Sequence, residues 1–206
     1  AIAPLLPRFQ ESLTLIQQQA QRMVHIIDNL LTFAHPPARQ VGLTDVNATV
    51  LRTVDLQLYQ LQGCGIEVLT DLAPDLPASR VDPHQLEQVF INLINNAQQA
   101  LLTGDQPGTL VIQTRRAPCQ NGDSAGAQVR FIDNGPGIPP EVMPHIFEPF
   151  FTTKETGKGT GLGLAVCDRI VHEYGGRIWA QNNPGGGATF TVELPAEEKG
   201  VRQALS

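Results

Sequence analysis

The sequence predicts an α+β fold: a two-layer α/β sandwich preceded by one long N-terminal helix. Three observations carry this reading. Helical and strand-like stretches are mixed without a strict βαβ alternation, which favours two layers over a doubly wound parallel sheet. A heptad seam of apolar residues is confined to residues 9–34. Asp82-Pro83 opens a second amphipathic helix, with a capping carboxylate and proline at the first helical position.

Taken in order, residues 1–8 contain Pro4 and Pro7 and read as a frayed start. From Phe9 to Ala34 the apolar residues Ile16, Ala20, Met23, Ile27, Leu30 and Ala34 step by four and three. That spacing suits packing against other helices at a shallow angle. A helix packed on its own domain would carry the same stripe. Pro36 and Pro37 stop it. Asp45 or Asn47 caps a helix over 47–62, which Gly63 and Gly65 break. Ile66 to Thr70 alternates like a half-buried strand. The helix from Pro83 runs to Leu102, with Leu86, Val89, Phe90, Leu93, Ile94, Ala97 and Leu101 facing inward. Strands are expected at 109–115 and 127–132, separated by a polar loop from Pro118 to Gly126. A short helix over 140–146 and a longer one from Thr160 to Tyr174 follow. Strands at 177–182 and 188–194 close the domain. The expected organisation is a helical region over 1–38, one domain over 45–195 and a loose tail over 196–206.

Composition narrows the function classes. A chain of 206 residues holds one good core, or one domain with an appendage. The net charge is −6 and no run of Lys or Arg exists, so a nucleic-acid surface is not expected. No apolar run approaches the ~20 residues of a membrane span. No signal-peptide pattern is present, and a cytoplasmic location is expected. Cys64, Cys119 and Cys167 are scattered without CxxC spacing. They read as buried or partly buried thiols in a reducing compartment rather than as a disulfide framework or zinc site.

The chemistry concentrates in three motifs. Asn92 and Asn96 lie four apart on one helix face, bordered by apolar positions. A buried amide without partners costs ~1–3 kcal/mol, so such a pair needs something to bind. Its oxygen suits Mg²⁺, a hard cation that keeps waters and bridges to phosphates. Two exposed or capping asparagines would look the same. Asp133-Asn134-Gly135-Pro136-Gly137 follows a strand and fixes a carboxylate on a glycine turn. A carboxylate accepts from an exocyclic amino group such as that of adenine, and glycine lets a base approach the backbone. Taken alone, this is also a common turn. Gly157-Lys158-Gly159-Thr160-Gly161-Leu162-Gly163 opens a helix. Successive N–H groups there can converge on an anion, aided by the helix dipole. Lys154 and Lys158 add charge or are simply solvated. The loop is not a Walker A motif, because no Gly-Lys-Ser/Thr ends it. Phe147, Phe150 and Phe151 suit core packing, or the anchor of a mobile lid.

Together these motifs resemble the ATP-binding catalytic domain of sensor histidine kinases in two-component systems, within the GHKL superfamily. Asn92 to Ala97 resembles the asparagine box, Asp133 to Gly137 the first glycine box, Phe147 to Phe151 the phenylalanine box, and Gly159 to Gly163 the second glycine box. Gly187-Ala188-Thr189-Phe190 resembles a further small motif. The resemblance covers 45–195. It implies the Bergerat fold, a mixed five-stranded sheet covered by three helices on one face. It implies ATP and Mg²⁺ as cofactors, with Asn96 binding the metal and Asn92 nearby. Asp133 would bind the adenine amino group, and Gly135 and Gly137 would line the base. Gly159, Thr160, Gly161, Leu162 and Gly163 would meet the phosphates with Lys154 and Lys158, and Thr189 would support the adenine site. No general base is implied; Asn92 and Asn96 support phosphoryl transfer. ATP-hydrolysing relatives carry Glu where this chain has Asn92, and an amide cannot take a proton from water.

The helix of 9–35 resembles the second helix of the dimerisation and phosphoacceptor region. His25 is followed by Ile26, His35 by Pro36 and His84 by Gln85, none of them the acidic residue of the family's acceptor motif, and His145 and His172 lie within the ATP-binding unit. The acceptor histidine is therefore expected on a helix of a longer parent, upstream of Ala1, with a response regulator as the onward partner. A homodimer through the N-terminal helix stays open, as does membrane anchoring of the parent. Two other readings stay open: a nucleotide-dependent binding or regulatory module, and a GHKL-type ATPase.

Overall fold

In a computed structural model, the chain divides at Ala38 and Arg39 into two units. The described residues are 23, 40–104, 106–118, 125–153 and 160–196. The heptad segment, apart from Met23, lies outside them, as do Lys154, Lys158, Gly159, Cys119 and the tail beyond Ala196.

Among its described residues the second unit has seven strands and three α-helices: β1 (Gly42–Thr44), α1 (Val46–Gly63), β2 (Glu67–Asp71), β3 (Ser79–Val81), α2 (Pro83–Leu101), β4 (Thr109–Pro118), β5 (Ala125–Asp133), α3 (Gly163–Glu173), β6 (Arg177–Asn182) and β7 (Ala188–Pro195). The main sheet has the order β2-β4-β5-β7-β6. Its β2–β4 pair is parallel and the others are antiparallel. The mixed five-stranded sheet with three helices is thus the architecture expected. β1 and β3, which the sequence did not suggest, form a separate two-stranded ribbon. Each is three residues long, too short to show an alternating pattern.

Helix starts follow the capping chemistry. Asp45 accepts from Ala48 N–H at 3.0 Å, and Asp82 accepts from His84 N–H at 2.9 Å. The second Asp82 oxygen takes Gln40 N–H at 2.7 Å. One face of the sheet carries the core. Leu110, Ile112 and Thr114 of β4 alternate inward beside Asp133, Phe131 and Val129 of β5. The β7 row of Phe190, Val192 and Leu194 continues that face. Helix α2 covers it, and Phe90 tilts against Phe131 with ring centroids 5.4 Å apart. All seven α2 residues expected to face inward are buried. Full burial of a side chain of that size stabilises by ~1.5–3 kcal/mol, so this stripe holds the two layers together. α2 packs between α1 and α3.

Three local expectations are corrected. The short helix over 140–146 is only a 3-10 turn at Met143–His145. Helix α3 begins at Gly163, not Thr160, because Gly161 adopts φ +64° and reverses the hand of the chain. Cys64 is exposed rather than buried, since it forms the C-cap of α1; Cys167 is buried.

Candidate functional site

The site is built along one stripe of α2. Asn92, Asn96 and Ala100 lie at successive i+4 positions and share a face. At one end, Asn92 Nδ2 donates to the carbonyl of Gly163, the first residue of α3, at 3.3 Å. At the other end, a Cβ added to Gly135 would lie 3.4 Å from Ala100 Cβ and 3.0 Å from Asp133 Oδ1. The second glycine segment and the Asp133 turn therefore meet the same helix face, eight residues apart. That is ~12 Å along the axis. Such a length suits a base, sugar and phosphates laid end to end, and exceeds what a base or a phosphate alone would fill.

At the turn, Asp133 is 4% exposed. Its Oδ1 accepts from Gly135 N–H at 2.9 Å and Ala188 N–H at 3.1 Å. Both bonds fall on one oxygen, so Oδ2 stays available to a ligand's donor. Burial raises the carboxyl above its usual range, and the bonds from Gly135 and Ala188 pull it back. The turn is tightly held. Asn134 accepts from Thr109 N–H and donates to Pro107 O, at 2.7 and 3.0 Å. Gly187, at φ +82°, lies so close to the Asp133 carbonyl that a Cβ would sit 2.0 Å from its oxygen.

At the other end, Asn92 is 2% exposed and its Oδ1 has no hydrogen-bond partner. Asn96, one turn on, is half-buried. Cys167 lies beside Asn92 and donates to Val89 O at 3.7 Å. Burial pushes its thiol up to about 12, so it stays protonated and inert. An orphaned buried carbonyl oxygen beside a half-buried amide is a hard donor set. It fits Mg²⁺ or a water of its shell, and it offers nothing to a soft metal.

The remaining expected residues fall as follows. Gly161 backs onto Phe150, whose N–H donates to Gly161 O at 2.9 Å; a Cβ there would lie 2.4 Å from the Phe150 carbonyl carbon. Phe150 has φ 66° and is 66% exposed, so it is not a core residue. Thr160 Oγ1 accepts from Leu162 N–H at 3.3 Å, which engages one of the donors expected for phosphate. Gly137, at φ +81°, sits against Asn182 and Gly187. Thr189 pairs with Ile132 in the register, one position off the row of Asp133, so it lies on the opposite face of the sheet. Its hydroxyl donates to Asn183 Oδ1 at 2.6 Å, and Asn183 donates to Asp133 O at 3.1 Å. Thr189 reaches the turn through Asn183 rather than directly. His145 and His172 are exposed and paired with Glu148 and Asp168 of their own segments. Sequence reasoning missed Asn182, Asn183 and the Ala188 N–H. Asn-Asn-Pro-Gly-Gly-Gly reads only as a turn until β6 is placed beside β7 and β5.

Residues 81–198 match the family described as histidine kinase-, DNA gyrase B-, and HSP90-like ATPase. The chain belongs to this family. Sensor kinase CckA of Brucella abortus is 37% identical over 89% of this chain and 20% of its own length. Signal transduction histidine-protein kinase AtoS of Escherichia coli is 36% identical over 94% of this chain and 30% of its own length. The chain thus spans a third or less of either relative. Among solved structures, the nucleotide-free catalytic domain of histidine kinase ThkA superposes with TM-score 0.65 at 28% identity, covering 76% of this chain and 96% of that one. The fold is that of a histidine kinase catalytic domain. No helix among the described residues is long and apolar enough to cross a membrane.

Proposed function

We propose that this chain is the ATP-binding catalytic part of a sensor histidine kinase. It transfers the γ-phosphoryl of ATP to a histidine outside the ATP-binding unit, for onward relay to a response regulator. The observation that carries this reading is the α2 stripe. A buried carboxylate stands at one end and an unpartnered amide oxygen at the other, eight helical residues apart, ~12 Å along the axis.

Asp133 Oδ2 accepts from the adenine amino group, while Gly135 and Gly137 leave room for the ring. Main-chain groups of Thr160, Gly161 and Gly163 face the phosphates, and Gly159, Lys154 and Lys158, which lie outside the described residues, would add donors and charge as the family resemblance implies. Asn96 would hold Mg²⁺, with the Asn92 oxygen beside it as a further hard acceptor, and the chemistry such a cation would supply there is neutralisation of phosphate charge. The chain's own residues position the phosphates and exclude competing geometry, which is most of what phosphoryl transfer requires. A bond from an imidazole nitrogen to phosphorus forms as the bond to the ADP oxygen breaks, and the ring proton leaves to solvent. Asn92 cannot take a proton from water, so transfer to an acceptor outruns hydrolysis. Pairing of two chains through the heptad seam of 9–35 would bring acceptor and donor units together.

The test mixes this chain with a separate helical domain carrying an acceptor histidine, in radiolabelled ATP and Mg²⁺. Acid-labile label on the helical domain is the expected result. Rapid release of free phosphate without labelling would overturn the kinase reading in favour of an ATPase.

A further inference from the structure

β6 ends on Asn182, with Asn183 next in the chain, and neither was marked by the motifs. Asn182 Oδ1 accepts from Ile138 N–H at 2.8 Å, and its Nδ2 donates to Ile138 O at 2.7 Å. One amide thus satisfies both backbone groups of a single residue, the pairing a neighbouring strand would otherwise supply. Ile138 follows Gly137, whose missing Cβ would lie 3.0 Å from Asn182 Oδ1 and 3.3 Å from Gly187 O.

Asn183 acts at the other end of the same turn. Its Nδ2 donates to Asp133 O, and its Oδ1 accepts from Thr189 Oγ1. The Asp133 carbonyl can only accept, so the amide has one orientation and the threonine hydroxyl must be the donor. Two adjacent amides therefore grip the segment 133–138 at both ends. Asn183 holds the residue that bears the carboxylate, and Asn182 holds the residue after the positive-φ glycine. The turn is fixed before any ligand arrives.

We propose that Asn182 and Asn183 are positioning residues for the purine. They set the spacing between the Asp133 carboxylate and the Gly137 backbone, and hence the width of the slot that takes the planar ring. The inference rests on the nucleotide reading above. Its chemistry is preorganisation: a turn already in its bound geometry loses no affinity to ordering.

The test compares Asn182→Leu, Asn182→Asp and Asn183→Leu with the unaltered chain. Each is titrated calorimetrically with ATP, and with inorganic triphosphate as a probe lacking the base, both with Mg²⁺. Asn182→Leu should weaken ATP about tenfold, the loss expected for one or two hydrogen bonds, and leave triphosphate within about twofold. Asn182→Asp keeps the bond from Ile138 N–H and should fall between, which guards against a variant that fails to fold. Asn183→Leu should weaken ATP with the same selectivity. Equal loss for ATP and triphosphate, or no loss of ATP affinity in a folded variant, would overturn the proposal. Failure of the unaltered chain to bind ATP would remove the nucleotide reading, and this inference with it.

Discussion

Two asparagines on neighbouring helices, Asn47 of α1 and Asn92 of α2, are treated differently. Asn47, in the first turn of α1, closes a ring of three hydrogen bonds. Its Nδ2 donates to Ala73 O at 2.8 Å, its Oδ1 accepts from Thr114 Oγ1 at 2.8 Å, and Thr114 Oγ1 accepts from Ala73 N–H at 2.9 Å. Nothing is left over, and the ring ties α1 to β4 and to the chain after β2. Asn92, on α2, is more deeply buried, makes one long bond to Gly163 and leaves its oxygen unpartnered. A buried amide without a partner costs about 1–3 kcal/mol, and a fold under selection for stability alone would remove it. The contrast separates a structural amide from one held ready for a ligand.

The comparison can be broken at several points. The largest effect is expected for Gly187→Ala. Its Cβ would lie 2.0 Å from the Asp133 carbonyl oxygen, at φ +82°. The substitution should cost at least ~2 kcal/mol in thermal unfolding and abolish ATP binding, since the turn must move. Second is Asp133→Asn. Oδ1 can be kept for Gly135 and Ala188, but an amino group replaces the free acceptor oxygen. ATP affinity should fall by about a hundredfold, the worth of a hydrogen bond to a charged group. The apo protein should melt no lower, because the buried charge is gone.

The same carboxyl gives a pH signature. Its pKa in the folded state is raised, so the native protein holds this proton more readily than the unfolded chain. The group contributes no penalty below the unfolded value. Stability falls as pH rises from the usual carboxylate range to the raised value, then levels off. ATP binding runs the opposite way: it needs the ionised form and weakens on acidification through that raised value. Asp133→Asn should flatten both profiles.

The smallest effects sharpen the contrast directly. Asn47→Ala should cost about 1–2 kcal/mol in denaturant unfolding, with ATP affinity unchanged, because Thr114 is left buried without its acceptor. Asn92→Ala should change stability by less than ~1 kcal/mol yet weaken ATP about tenfold in Mg²⁺ and not in EDTA. If the two variants behaved alike, the distinction between them would be lost.

What the sequence made legible follows from range. The α2 stripe, its Asp82-Pro83 start and the β5-to-turn register of Asp133 depend on neighbours within a few residues. Period and capping chemistry report them well. The three-residue strands β1 and β3 pair across Gly42 and Val81, and nothing local marks either one. The grip of Asn182 and Asn183 on the 133–138 segment spans more than forty residues and depends on β7 lying between β5 and β6. Helix α3 was expected too early because the glycines were read as part of its first turn. Gly161 instead adopts a left-handed conformation against Phe150.

The central claim is that the Asp133 carboxylate and the Asn92 oxygen serve one triphosphate spread along α2. Calorimetric titration of the chain with ATP, in Mg²⁺ and again in EDTA, tests it most directly. The expected result is a single site whose affinity falls when the metal is removed. No heat in either condition, or equal affinity in both, would contradict it.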